Sequence, residues 1–227
     1  MRSMTKFMKH CMSDLKPLIA LKEKSADLAG KKIKELLSDE YIAKLSNKGT
    51  VGQILEIVLG ADSGGLPQPD FAEIGVELKT LPVLKNNVVK ESTFICAASL
   101  LPDTIDFFQS LVYKKLQHVL FIPYEAEKNI PLMERRIGTP FFWQPNEQEL
   151  ALLKQDYEGL MQQIITGNIA EMRAIQGEVL QIRPKGLNKK VLTRAIDAEG
   201  ETVWVNARGF YLRQRFTQKI ITRVFHL

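Results

Sequence analysis

The sequence predicts an α/β fold in which a mixed β-sheet is flanked by helices, and three observations lead there. Strand-like runs occur at Val76 to Val83, Val88 to Ala98 and His118 to Pro123, the last by its apolar, β-branched and aromatic content. Segments with helical periodicity lie before, between and after them. The order strand, strand, helix, strand then asks for a mixed sheet rather than a bundle or a sandwich. A chain of 227 residues, 45% of them apolar, suits one domain of two lobes with an ample core. Along it, residues 1–46 read as helical scaffold, 47–125 as the sheet that carries the chemistry, and 126–227 as helices with basic segments.

Leu15 to Leu37 reads as two short helices, with Leu18, Ile19, Leu21 and Leu28 in the first, Ile33, Leu36 and Leu37 in the second, and Gly30 as the stop between them. Asn47 to Thr50 is a loop. The helix after it has Thr50 and Gln53 at capping-box spacing and Gly60 at its end. Val51, Ile54, Leu55, Val58 and Leu59 form its buried stripe, and Glu56 borders that stripe as either a surface carboxylate or an acid turned toward a site. Ala61 to Gln68 is rich in turn formers and leads into Pro69 and Asp70. The strand through Lys79 runs to Val83, a turn follows at Lys85 to Asn87, and Val88 to Ala98 returns, so a hairpin is expected to extend this sheet.

Leu111 to Leu116 is a short helix carrying Lys114 and Lys115. A long helix begins at Asn146, its cap, with Glu147 and Glu149 in the first turn. Leu150, Leu153, Tyr157, Leu160, Met161 and Ile164 give its apolar stripe, and Gly167 closes it. Glu178 to Ile182 and Asn206 to Leu212 are extended. A last helix over Arg215 to Phe225 places Arg215, Lys219 and Arg223 on one face, a stripe suited to a phosphate backbone.

The net charge of +5 is unevenly spread. Residues 183–227 hold ten Lys or Arg against three Asp or Glu, whereas the remainder is slightly acidic. Basic charge gathered in the last fifth fits an anionic polymer such as DNA better than a small acidic substrate. Cys11 and Cys96 do not make a disulfide framework or a zinc site, which points to a reducing, cytoplasmic setting. No run reaches membrane-spanning length, and the first fourteen residues lack the apolar core of a cleaved signal. Neither a P-loop nor a dinucleotide fingerprint occurs, and the three histidines suggest no Ser-His-Asp arrangement.

The stretch Asp70 to Lys79 carries the strongest chemical signal. In Val76 to Lys79 apolar and charged residues alternate, turning Glu77 and Lys79 to one face of a strand and Val76 and Leu78 to the other. Gly75 permits a bend that folds the Asp70 segment back, so that Asp70 and Glu77 share a divalent cation while Lys79 orients a water. That is a way to hydrolyse a phosphodiester. Alternating charge on a strand is also the ordinary pattern of a solvated face. Lys48, next to Gly49, is either a solvated loop charge or a phosphate contact, and the basic turns at Arg183 to Lys185 and around Tyr211 have the parts to read a base edge.

Glu56 to Gly60, Pro69 to Phe71, Gly75 to Thr80, Gln181 to Lys185 and Arg208 to Leu212 occur together and in order, and in this the chain resembles the MutH family, the strand-nicking endonucleases of methyl-directed DNA mismatch repair. The likeness spans roughly residues 47–225. It implies the fold of type II restriction endonucleases, two lobes around a DNA cleft, magnesium as cofactor, and hemimethylated or unmethylated GATC as the site, cut 5′ of the guanine. Asp70 and Glu77 then resemble the metal-binding acids, Glu56 the acid contributed by the helix, Lys79 the catalytic lysine, and Lys115 a further active-site lysine. Lys48 matches a DNA-contacting lysine; Phe94, Arg183, Pro184, Lys185 and Tyr211 match recognition positions, with Tyr211 implicated in sensing adenine methylation. The implied partners are double-stranded DNA, MutL as activator and, through it, MutS; a monomer is expected in solution.

Two rivals stand beside this reading. One is a restriction enzyme that cuts GATC on its own, and the other a catalytically idle protein that only senses methylation. Chain length disfavours the first, and the intact Asp70, Glu77 and Lys79 disfavour the second.

Overall fold

The structure, a computed structural model, describes residues 16–43, 50–61, 66–101, 106–171, 177–185 and 191–227. It divides into two compact units that interleave along the chain, Met1–Val88 with His118–Trp143, and Val89–Gln117 with Gln144–Leu227.

In the first unit, helix α1, described over residues 16–26, ends in a turn closed by Gly30 at φ +81°, as its sequence position suggests. The second expected helix is only a 3-10 turn, Ile33–Glu35, whose Ile33 is wholly buried. Lys32 and Lys34 on either side of Ile33 both pair with Glu134, at 2.8 and 2.6 Å, fastening this turn to the 3-10 turn Leu132–Glu134. After α2 (Asp39–Ala43), α3 (Thr50–Leu59) buries Val51, Ile54, Leu55 and Leu59, and Gly60 ends it at φ +81°. Strand β1 (Glu77–Val83) pairs in parallel with β3 (Val119–Glu125), which pairs antiparallel with β4 (Phe141–Trp143). As the middle strand, β3 is buried from Val119 to Pro123, as its apolar run predicts. The core joins α1 and α3 to the sheet through Leu21, Leu28, Ile54, Leu55, Leu78 and Leu120.

In the second unit, β2 (Thr93–Ala98), β8 (Arg208–Leu212) and β5 (Leu180–Pro184) form an antiparallel sheet with β8 in the middle. Its buried face presents Ile95, Leu180, Ile182, Phe210 and Leu212, and Phe210 lies 5.5 Å between ring centroids from Tyr157 of α5 (Glu147–Ile165). Asn146 caps α5 in a capping box with Glu149. Helices α4 (Leu111–Leu116) and α6 (Gln214–Phe225) complete the unit. A two-stranded ribbon, β6 (Leu192–Ile196) with β7 (Thr202–Asn206), precedes β8, so the extended stretch expected at 206–212 is β8 preceded by the last residue of β7. Among the described residues no helix is long and apolar enough to cross a membrane.

The expected hairpin is not formed. A turn does follow β1, with the Leu84 N–H donating to the Val88 carbonyl and Asn87 at φ +60°. The next strand, however, starts only at Thr93 and pairs with β8, while the partner of β1 is β3. Periodicity identifies a strand but carries nothing about its partner.

Candidate active site and recognition face

Glu77 and Lys79 stand on β1, and a tight loop brings Asp70 to them. Phe71 and Val76 exchange backbone hydrogen bonds of 2.9 and 3.2 Å, a 3-10 turn spans Ala72–Ile74, and Gly75 closes the loop at φ +64°. A left-handed residue is needed there, which glycine supplies at no steric cost. Two further bonds lock the acids in place. The Leu78 N–H donates to Asp70 Oδ2 at 2.9 Å, and the Asp70 N–H donates to Glu77 Oε2 at 3.2 Å. Because Glu77 donates its N–H toward β3, through the His118 carbonyl, the Leu78 N–H points away from the ladder, and the Asp70 carboxylate covers that edge of β1.

Asp70 retains 8% of its accessible surface and Glu77 only 1%. Burying a carboxylate this deeply requires charge and hydrogen-bond compensation. Lys79 provides part of it, with Nζ 2.5 Å from Glu77 Oε1 and its side chain 13% exposed. Two acids and one lysine leave a formal −1 among the three groups, and two adjacent carboxylates with hard oxygen donors suit a divalent cation such as magnesium.

Glu56 belongs to the same unit but is exposed on α3, at the outer edge of its buried stripe. Among the described residues no three His, Cys, Asp or Glu side chains stand close enough to share one ion, so Glu56 is not gathered with Asp70 and Glu77 into a preassembled three-acid group. Lys115 lies half-buried on α4, in the second unit. Lys48 falls outside the described residues. Burial lowers the pKa of the half-buried His118, whose ring lies 5.5 Å between centroids from that of Phe142.

The second unit gathers four of the five candidate reading residues into one contiguous layer. Tyr211 on β8 faces Phe94 across the ladder, and their rings meet edge to face with centroids 5.2 Å apart. The Arg183 guanidinium lies 5.4 Å from the Tyr211 ring centroid, and Lys185 Nζ lies 5.4 Å from that of Phe94. Pro184, exposed at the end of β5, continues this segment opposite Arg208. Burial pushes the Tyr211 hydroxyl up from its ordinary pKa, an effect that the Arg183 charge opposes.

Two features that escape sequence reading build this layer. The register shifts between Phe94 and Cys96, a β-bulge that puts both Ile95 and Cys96 in the core and leaves Phe94 pointing out. Without the bulge, strict alternation would place Phe94 and the buried Cys96 on one face. Gly209 is the second feature, since a Cβ there would come within 2.7 Å of the Phe94 ring and the ring fills that space instead. Ser92 adds a further contact, its Oγ accepting a 2.7 Å hydrogen bond from Arg183 Nη1. Its spacing of two residues from Phe94 was the signal available for it.

The basic stripe of α6 is partly engaged within the fold. Arg215 donates to the Glu178 carbonyl from Nε and Nη2, and Arg223 pairs with Glu149 at 2.9 Å.

A family model described as "DNA mismatch repair enzyme MutH" matches residues 59–156. The chain is 43% identical over 215 residues to the DNA mismatch repair protein MutH of Shewanella woodyi, covering 92% of this chain and 93% of that protein. The chain belongs to the MutH family. Its MutH relatives include that of Escherichia coli O6:K15:H31, 47% identical over 180 residues and 79% of each chain, and that of Shewanella baltica strain OS185, 47% identical over 180 residues, 79% of this chain and 81% of the other. The α/β architecture is accordingly the restriction endonuclease-like fold of MutH, and the activity is that of a mismatch repair endonuclease acting on DNA.

Proposed function

We propose that the chain is a magnesium-dependent endonuclease that nicks the unmethylated strand at GATC, 5′ of the guanine, in the cytoplasm, and that MutL switches it on after MutS has found a mismatch. The observation that carries this reading is the tight loop that locks Asp70 and Glu77 together, with Lys79 against Glu77. Asp70 and Glu77 hold the cation, and Lys79, with three N–H donors, orients the attacking water toward phosphorus. Magnesium, when bound, neutralises phosphate charge and favours departure of the leaving oxygen. The resemblance adds Glu56 and Lys115 to this set and Lys48 to the phosphate contacts. Phe94, Arg183, Pro184, Lys185 and Tyr211 choose the site, Arg183 having the paired donors that a guanine edge accepts and Tyr211 testing the adenine amino group. One chain acts as a monomer.

The test is incubation of hemimethylated, unmethylated and fully methylated GATC duplexes with magnesium, with and without MutL. Nicking of unmethylated strands, stimulated by MutL and absent on the fully methylated duplex, is expected. Strong double-strand cleavage without MutL would instead identify a restriction enzyme, and binding without nicking under any condition a methylation sensor.

A further inference from the structure

Ser92 lies just before β2, and no recognition role has been given to it so far. Its hydroxyl accepts from Arg183 Nη1 at 2.7 Å, while the Tyr211 ring stands 5.4 Å from the same guanidinium. A guanidinium is planar with five N–H donors. A ring beside it and an acceptor at one corner together fix both its place and its rotation. One donor is used by Ser92, which leaves enough for the two parallel bonds that a guanine O6 and N7 edge takes. Arginine has high rotamer entropy, and a side chain already ordered in the unbound protein loses less of it on DNA.

We propose that Ser92 is a positioning residue for base recognition. Its hydroxyl presets the Arg183 guanidinium and so sets how strongly the chain prefers guanine. This rests on the assignment of Arg183 to the guanine of GATC. Ser92 is half-buried beside an exposed arginine, so losing the hydroxyl leaves the fold intact.

Equilibrium binding of the full chain is measured on duplexes carrying guanine or 7-deazaguanine, which lacks the N7 acceptor, for wild type, Ser92→Ala and Ser92→Thr, with KM and kcat for nicking alongside. Wild type should bind the 7-deazaguanine duplex more weakly. In Ser92→Ala that penalty should shrink, with KM for the guanine duplex raised about 5-fold and kcat held within about 2-fold, the size of one hydrogen bond. Ser92→Thr keeps the acceptor and should restore both. A Ser92→Ala protein with the wild-type penalty overturns the proposal while Arg183 keeps its assignment, and equal impairment by Ala and Thr overturns it in favour of packing. A wild type indifferent to the missing N7 removes the assignment of Arg183 and the proposal with it.

Discussion

The candidate catalytic cluster and the proposed recognition face would solve opposite problems. Asp70, Glu77 and Lys79 come from ten consecutive residues, are largely buried, and are held by hydrogen bonds within the same stretch, the two carboxylates accepting from backbone N–H groups and Lys79 donating to Glu77. Phe94, Arg183, Lys185 and Tyr211 come from three strands spread over more than half of the chain, stay in contact with solvent, and are held by ring and cation contacts. Chemistry on a phosphodiester needs desolvated charge fixed in place, which a short loop on a strand edge supplies. Reading a base needs exposed side chains held in a fixed layer, which the β2-β8-β5 sheet supplies here.

The sharpest way to separate the two is Lys79→Ala. Nicking should fall by about 10³-fold or more, the scale of losing a preorganised charged donor, while DNA binding persists. Wild-type nicking in this variant would remove Lys79 from the mechanism. Without Lys79, the buried Glu77 carboxylate loses its cation partner, so the melting temperature should drop and magnesium should recover part of it by binding the folded state.

Asp70 distinguishes chemistry from scaffolding. Asp70→Asn and Asp70→Ala should both abolish nicking, but Asn can still accept from the Leu78 N–H. Ala cannot, and an unsatisfied buried N–H costs roughly 1–3 kcal/mol. Chemical denaturation should therefore rank Ala well below Asn; equal stabilities would mean that the loop does not depend on this bond.

On the other face, Gly209→Ala should displace the Phe94 ring at an overpacking cost of about 1–3 kcal/mol, read as weaker DNA binding with kcat at saturation preserved. A loss confined to kcat would contradict the separation of roles. Tyr211→Phe keeps the ring between Phe94 and Arg183 but removes the hydroxyl, so affinity should change little while the preference for unmethylated over fully methylated duplex narrows. Unchanged preference would exclude the hydroxyl as sensor.

The smallest effect concerns neither site. Lys32 and Lys34 hold the exposed Glu134 carboxyl down to about 2 from an ordinary value of 4.5. A lowered folded-state pKa means that the pair stabilises the protein above pH 4.5 and loses that contribution as pH falls toward 2. Glu134→Gln should flatten the acid side of the stability profile in that window, with both sites unaffected at neutral pH.

The same contrast explains what was legible in the sequence. Asp70 to Lys79 could be read because the chemistry, the turn residue and the strand period all lie within one short window, and Gly75 adopts the bend its position suggested. The buried stripes of α3 and α5, the Asn146 cap and the β3 core strand were legible for the same local reason. The recognition face was recognised by resemblance and not by spacing, since its order depends on the bulge at Ile95 and Cys96, which period-two reading cannot anticipate. The expected β1 hairpin failed because a turn signal says that the chain reverses, not which strand it then joins. The α6 stripe reads from its spacing as suited to a phosphate backbone, and in the fold Arg215 and Arg223 already satisfy a carbonyl and a carboxylate from elsewhere.

Tyr211 sits on the middle strand, bonded to β2 on one side and β5 on the other. A methyl group extends a base by roughly 1.5 Å, about a single carbon–carbon bond. A reader mounted on a mobile loop wanders by a comparable distance, and the quantity to be measured would vanish in the blur. Sliding β8 by one residue would break two ladders and exchange Tyr211 with the buried Phe210, so in the role proposed for Tyr211 the strand would work as a ruler whose zero is fixed.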